Sequence, residues 1–502
     1  MTHTDQSFVE VATAAGTVRG RWDAESARFL GIPYAQAPIG PLRFAAPVPH
    51  AGWDGVRDAL AFGPTPQRGA LAEVTLIPEP SYPGEETLNL NVFTPRPRGE
   101  AAALPVLVYI HGGGYVSGSP ASPWYNGAAF NRDGIVVVTV SYRLGFDGFG
   151  WIEDAPHNRG VLDWLLALEW VQQNIAAFGG DPARVTVSGQ SAGGAAVMAL
   201  LATPRAQGLF AQGYAISGPI ADVALERAEE FGRAMATELG VEPTRAGFSS
   251  LSEEQILAVQ GRLANVGAQP DADAHADPLA ALAGMVALTK GLPLAPVVDG
   301  ELIPHPIREA VQTGIGSDKP LLMGATDDEF SMMLASAGDS LEAVPPAVVL
   351  SALGLDDATC AAYLAAGEPG RRTADVVGRY ITDAMFRGAQ LQIAEMRGAA
   401  PTWLYRFSWR SPVFGSAMHC LDMPFIFDCL DLDRVSAVAG ENPPQALADD
   451  VHGAAAHFVR DGDPGWPRFD ETDGWTRVFD TPSTTVRHGY ASVQPLLPTL
   501  VG

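Results

Sequence analysis

The stretch 185-VTVSGQSAGGAAVMAL-200 joins an apolar strand pattern to a small-residue helical run through glycines grouped around Ser191. A glycine turn of this kind has three readings. A phosphate-binding turn requires Gly-Lys-Ser/Thr, and the chain's two lysines, Lys290 after Thr289 and Lys319 after Asp318, fit no such motif. The dinucleotide pattern G-x-G-x-x-G fails as well, because Ser191 stands where its second glycine belongs. A purely structural turn would use the same small residues for packing alone. The third reading is a nucleophile elbow, Gly189-Gln190-Ser191-Ala192-Gly193. Here a tight strand-to-helix turn projects the serine hydroxyl past the strand end, and the N–H of Ala192 stays free at a helix start.

A serine hydroxyl is a weak nucleophile at neutral pH and needs a base beside it. A Ser-Lys mechanism is excluded, because the residues three before the lysines are Ala287 and Gly316. The base is therefore expected to be a histidine, with the chain order serine, then acid, then histidine. Six histidines follow Ser191: His275 in an Ala/Asp-rich stretch, His305 between prolines, His419, His452, His457 and His488. His452 and His457 share a helical pattern that suits packing or surface roles. His419, in 414-FGSAMHCLDMPFIFD-428, follows a strand pattern and precedes an apolar turn, a place that can hold an imidazole over strand ends. For the acid, 320-PLLMGATDDEF-330 offers Asp327, Asp328 and Glu329 at a strand end, and the pattern alone does not choose among them. The glycines of 110-IHGGGYVSG-118, after another buried strand, are suited to present backbone N–H groups to an oxyanion.

Strand patterns at 105–114, 134–145, 184–190, 208–218, 320–330 and 401–409 alternate with helical ones. This predicts an α/β protein with a mostly parallel sheet covered on both faces. The N-terminal part through 85-EETLNLNVFTP-95 reads as short strands broken by loops. Residues 96–104 read as a polar linker and 268–278 as a solvated loop. One unit of 502 residues is expected, with mainly helical insertions at about 220–315 and 330–395 forming a cap.

Composition narrows the function. With 47% hydrophobic residues the chain supports a large core, and 57 acidic against 32 basic residues give a net charge of −25. That charge argues against nucleic acid and anionic membranes as partners. Three cysteines, Cys360, Cys420 and Cys429, form no zinc or disulfide pattern. The opening residues carry no secretory signal pattern, so a cytoplasmic setting is expected.

Taken together these stretches resemble the type-B carboxylesterase family of α/β-hydrolases, which includes para-nitrobenzyl-type esterases and the cholinesterases. The resemblance spans nearly the whole chain and rests on 29-FLGIPYAQAPIGPLRF-44, 85-EETLNLNVFTP-95, 110-IHGGGYVSG-118, 141-SYRLGFDGFG-150, 187-VSGQSAGG-194, 324-GATDDEF-330 and 418-MHCLDMPFIF-427, in the family's order. It implies the α/β-hydrolase fold and a serine carboxylesterase, with Ser191 as nucleophile, Glu329 as triad acid and His419 as general base. It implies Gly113, Gly114 and Ala192 as oxyanion donors, Ser217 close to the triad, and structural ion pairs of Arg43 with Glu85 or Glu86 and of Arg143 with Asp163. Two positions depart from the family pattern: Thr87 replaces a cysteine used for a disulfide in secreted members, and Phe330 replaces the glycine after the acid.

The expected reaction is acyl transfer through an acyl-enzyme, with no metal or organic cofactor. A small-molecule ester is the expected partner, and the chain is expected to act as a monomer or weak homo-oligomer. A same-fold hydrolase of carbamate or aryl amide bonds is the alternative. Tyr115, Phe330, Phe414 and Met418 flank these positions and are candidates either for an apolar substrate pocket or for packing.

Overall fold

The computed structural model describes residues 8–66, 76–95, 103–264, 292–331, 334, 341–367 and 370–500. The linker reading falls mostly on residues outside these ranges, and the Ala/Asp-rich stretch with His275 falls entirely outside them.

The strands in chain order are β1 (Phe8–Thr13), β2 (Gly16–Asp23), β3 (Ser26–Pro33), β4 (Val56–Asp58), β5 (Asn89–Thr94), β6 (Leu104–Ile110), β7 (Val136–Val140), β8 (Gly180–Gln190), β9 (Gln212–Ile216), β10 (Val223–Ala224), β11 (Val297–Val298), β12 (Leu321–Thr326), β13 (Thr402–Phe407), β14 (Thr476–Phe479) and β15 (Thr484–Val486). Apart from the small β10–β11 pair, they form one sheet in the order β1-β2-β3-β5-β7-β6-β8-β9-β12-β13-β14-β15, with β4 on β2. From β7 to β14 every pairing is parallel. Strands β1, β2, β3 and β5 at one end and β15 at the other join as antiparallel flanks, with β4 parallel to β2. The sheet is therefore mixed and mostly parallel, as the alternating patterns predict.

Why these segments become central strands is visible in their burial. Every residue of β7 and β12 is buried, which only a strand covered on both faces requires. Alternate residues of β6 enter different cores: Val106, Val108 and Ile110 join one, Leu107 and Tyr109 the other. Helix Arg159–Asn174 turns Trp164, Leu165 and Leu168 into the first core, and helix Gln445–Asp461 turns Leu447, Val451 and Phe458 into the second. Parallel strands must all end on the same edge, so β6, β8, β12 and β13 deliver their following loops to one side of the molecule.

Two ion-pair expectations meet different fates. Arg143 and Asp163 form a buried pair at 2.7 Å, and Asp163 also accepts from the Arg143 backbone N–H at 3.0 Å. Arg43, by contrast, pairs with neither Glu85 nor Glu86. Its Nη1 donates to the Leu251 carbonyl at 2.6 Å and its Nε lies 3.8 Å from Asp147. Glu86 instead meets Arg57, and Glu85 is exposed. The reason is packing: the Arg43 guanidinium sits over the Phe44 ring, 4.8 Å from its centroid, and faces Asp147.

His452 and His457 take the two roles their helix offers. His452 is buried, with its ring nitrogens on the Ile426 carbonyl and Asp133, whereas His457 is exposed.

Because Arg143 would be left charged and without its bidentate partner, Asp163→Ala is expected to lower unfolding stability by about 3–5 kcal/mol. Chemical denaturation measures this, and a loss below about 1 kcal/mol would show that the pair is not structural.

Candidate active site

Ser191 lies at φ 58° and ψ −122°, between β8 and helix Ala192–Ala202. That left-handed backbone is costly for any residue with a Cβ. Glycines make the turn possible: a Cβ on Gly189 would run into the Gly193 backbone, and one on Gly193 into the Ile110 carbonyl. The turn is also held from outside, since the Ser191 N–H donates to the Ile216 carbonyl at 2.9 Å. From Val185 to Thr203 every residue is buried except Ser191, which is half-buried.

The glycine loop after β6 lies against this elbow. Gly112 packs so closely that a Cβ there would meet the Gln190 carbonyl and stand 3.1 Å from the Ser191 Cβ. Gly113 and Gly114 have φ of 111° and 60°. Among the described residues none accepts a hydrogen bond from the N–H of Gly113, Gly114 or Ala192. The Gly113 carbonyl turns away, accepting from Val116 N and Ser117 N at 3.0 and 2.9 Å.

The three acids after β12 go to three different partners. Asp327 turns to Arg406, with oxygen–nitrogen distances of 2.8 and 2.6 Å. Asp328 accepts from the Ala417 N–H at 3.0 Å, while its own N–H donates to the Ala417 carbonyl at 2.9 Å. Glu329 is fully buried, accepts from Thr326 N at 2.9 Å through Oε1, and meets His419 Nδ1 through Oε2. A backbone bond from His419 N to the Glu329 carbonyl, 2.8 Å, ties the two loops together beside that contact.

Burial disfavours the His419 imidazolium, but the adjacent Cys420 and Glu329 outweigh it and hold the pKa well above the ordinary histidine value. Burial also raises the Cys420 thiol pKa.

Two neighbours of the imidazole were not singled out from the sequence. Gln190 lies inside the elbow motif, and its Nε2 stands 3.1 Å from His419 Nε2, the nitrogen opposite Glu329. In the neutral ring, with Nδ1–H directed at Glu329, Nε2 accepts from the Gln190 amide, and protonation of Nε2 removes that bond. Its position beside Ser191 was the available signal. Asp422, three residues after His419, is fully buried and accepts from Tyr405 Oη at 3.4 Å. Burial and the charge of Glu329 push its carboxyl up to about 7.

The candidate pocket residues are dispersed. Phe330 is packed on the imidazole, with ring centroids 4.7 Å apart, and Phe386 stands behind at 5.5 Å. Ser217 is buried next to the elbow; its N–H donates to the Gly324 carbonyl at 2.7 Å and its Oγ has no partner among the described residues. Tyr115 is fully buried against Phe149 and Trp164. Met418 is buried in the second core, and Phe414 is exposed. Among the described residues no cluster of histidine, cysteine or carboxylate side chains has the arrangement of a metal site.

A model of the carboxylesterase family matches residues 6–494. The para-nitrobenzyl esterase of Bacillus subtilis (strain 168) is 32% identical, over 94% of this chain and 95% of its own. The phenmedipham hydrolase of Pseudarthrobacter oxydans is also 32% identical, over 92% and 93%. Among solved structures, the carboxylesterase EST55 of Geobacillus stearothermophilus superposes with a TM-score of 0.82 at 30% identity, covering 97% of this chain and 99% of that one. A PNB esterase superposes with a TM-score of 0.81 at 29% identity, covering 98% and 99%.

The geometry makes a titration prediction. Glu329→Gln removes the charge that favours the imidazolium, so the His419 midpoint is expected to fall to lower pH. Imidazole ¹⁵N NMR follows it directly. An unchanged midpoint would mean that the carboxylate does not control the ring.

Proposed function

The chain belongs to the carboxylesterase family and is a carboxylic ester hydrolase, and from that premise we propose that Ser191, His419 and Glu329 perform the hydrolysis in two acyl-transfer steps. For the reaction His419 Nε2 exchanges its contact with the Gln190 amide for the Ser191 hydroxyl, and takes that proton as Oγ attacks the ester carbonyl. The N–H groups of Gly113, Gly114 and Ala192 receive the oxyanion. Glu329 orients the imidazole and favours its cationic form, which then gives its proton to the leaving alcohol. Water attacks the acyl-enzyme by the same route and releases the acid and Ser191.

The contact of Glu329 with His419 Nδ1 carries this reading, because the neighbouring acids Asp327 and Asp328 have other partners. The unpaired N–H groups of the glycine loop and helix start support the oxyanion assignment.

The working base must be neutral, so kcat/KM is expected to rise with pH through a midpoint above the ordinary histidine value. Phe330 lies over the imidazole and is read as a wall of the substrate pocket, with Ser217 beneath the elbow. The helical segments after about residues 220 and 330, among them Leu225–Leu239, Glu253–Ala264 and Thr373–Thr382, are read as the cap. A reduced, cytoplasmic setting is consistent with three free, buried cysteines. Among the described residues no helix is long and apolar enough to cross a membrane.

Ser191→Ala is expected to lower p-nitrophenyl ester turnover by about 10⁴-fold or more. An organophosphonate probe should label Ser191 in the parent protein and lose most of that labelling in His419→Ala; near-normal turnover in Ser191→Ala would sink the assignment. In a graded panel of esters and carbamates, Phe330→Ala is expected to shift kcat/KM toward bulkier acyl groups, by about tenfold for one added ring. An unchanged ranking would remove Phe330 from the pocket, and a preference for carbamates would redefine the substrate class.

A further inference from the structure

Beyond the ends of β12 and β13 lies a cavity of about 360 Å³, lined by Asp327 and Asp328 but by neither Glu329 nor His419. Six arginines line it: Arg371, Arg379, Arg387, Arg406, Arg410 and Arg487. The exposed His488 also lines it, and among the described residues Asp327 and Asp328 are its only lining carboxylates. This is a concentration of positive charge in a chain whose net charge is −25.

The inner guanidiniums are fixed in place. Arg406 and Arg387 converge on Asp327, at 2.6 and 3.3 Å, and Arg387 also holds the buried Asp383 at 2.6 Å. Arg379 donates to Tyr363 Oη at 3.0 Å and lies over that ring, 4.5 Å from its centroid. Burial opposes the Asp327 carboxylate, but Arg406 and Arg387 more than offset this and keep its pKa below the ordinary aspartate value, so it remains an anion at neutral pH.

The outer guanidiniums are only loosely engaged. Arg410 is 56% exposed, with Asp328 at 4.0 Å. Arg487 is 62% exposed, lies over Trp475 and has Asp473 at 3.4 Å. Their planar forks match phosphoryl oxygens, which accept two parallel hydrogen bonds from one guanidinium. Cations that line one cavity repel one another, and an anion between them relieves the repulsion.

We propose that this cavity binds a small anion carrying a phosphoryl group, at a site separate from the ester-hydrolysing serine. The volume lies at the small end of the range for small-molecule pockets. The acidic remainder of the surface repels extended polyanions, so nucleic acid and anionic membranes are disfavoured relative to a small diffusible one. The site is tied to both loops of the candidate triad, because Asp327 and Asp328 immediately precede Glu329 and Asp328 is hydrogen-bonded to Ala417, two residues before His419.

The test is calorimetric titration of the full chain with pyrophosphate at fixed ionic strength. Saturable binding of one anion per chain is expected. The double variant Arg410→Gln, Arg487→Gln is expected to weaken it by about tenfold or more while keeping p-nitrophenyl acetate turnover within about twofold. Arg233→Gln, which removes an exposed arginine paired with Glu229 elsewhere, is expected to leave binding unchanged. Citrate titrated in parallel separates phosphoryl recognition from a general response to polyanions. The proposal is overturned by absence of saturable binding at millimolar pyrophosphate, by equal binding in the double variant, by equal weakening in Arg233→Gln, or by citrate binding as tightly as pyrophosphate.

Discussion

A serine held with left-handed backbone at the end of a buried parallel strand is the constraint around which this molecule is arranged. Such a conformation costs on the order of 1–3 kcal/mol, and it persists only where the surroundings over-determine it. Here they do. The N–H of Ser191 is anchored to Ile216 on β9, and the glycines on either side let β8, the following helix and the β6 loop approach to contact distance. The elbow therefore depends on three adjacent strands keeping their parallel register. That register in turn rests on two apolar cores, one against each face of the sheet.

The same logic extends to the acidic loop after β12. Three consecutive carboxyl groups leave one strand end and are sorted by direction and partner. One is neutralised by arginines, one is absorbed by backbone N–H, and one meets the buried imidazole. The backbone bonds from Asp328 to Ala417 and from His419 to Glu329 lace the two loops together. His419 is thereby positioned by main-chain geometry as well as by its side-chain partner. A ring held this way loses little freedom when it exchanges a proton, which is the preorganisation that acyl transfer needs.

Charge is distributed with comparable economy. Cations deep in the protein sit opposite carboxylates or carbonyls: Arg143 on Asp163, Arg387 on Asp383, and Arg159 on the carbonyls of Phe146, Asp147, Gly150 and Pro156. Burial pushes the Arg159 pKa down to about 9, and four carbonyl acceptors compensate for the water it has lost. Against this background of paired interior charge, the cavity beside Asp327 gathers six arginines, with Arg410 and Arg487 near solvent.

Much of this was legible in the residues. Short continuous apolar runs rich in β-branched residues, such as those of β6 and β7, suit strands buried on both faces. Glycines at 112–114 and 189–194 mark close backbone approach, and the absence of suitably placed lysines removes competing chemistries. The family resemblance supplied His419 and Glu329 from among several histidines and three adjacent acids, a choice that local pattern does not make. What only the tertiary structure decided is which groups separated in sequence become neighbours. Arg43 takes Asp147 over Glu85 or Glu86, Gln190 reaches the far nitrogen of His419, Tyr115 and Met418 turn into cores, and arginines from three stretches of the chain line one cavity. Periodicity and turn chemistry act over a few residues and are written along the chain. Side-chain direction at a loop end depends on the packing of strands far apart in sequence, and that is settled only when the sheet closes around its cores.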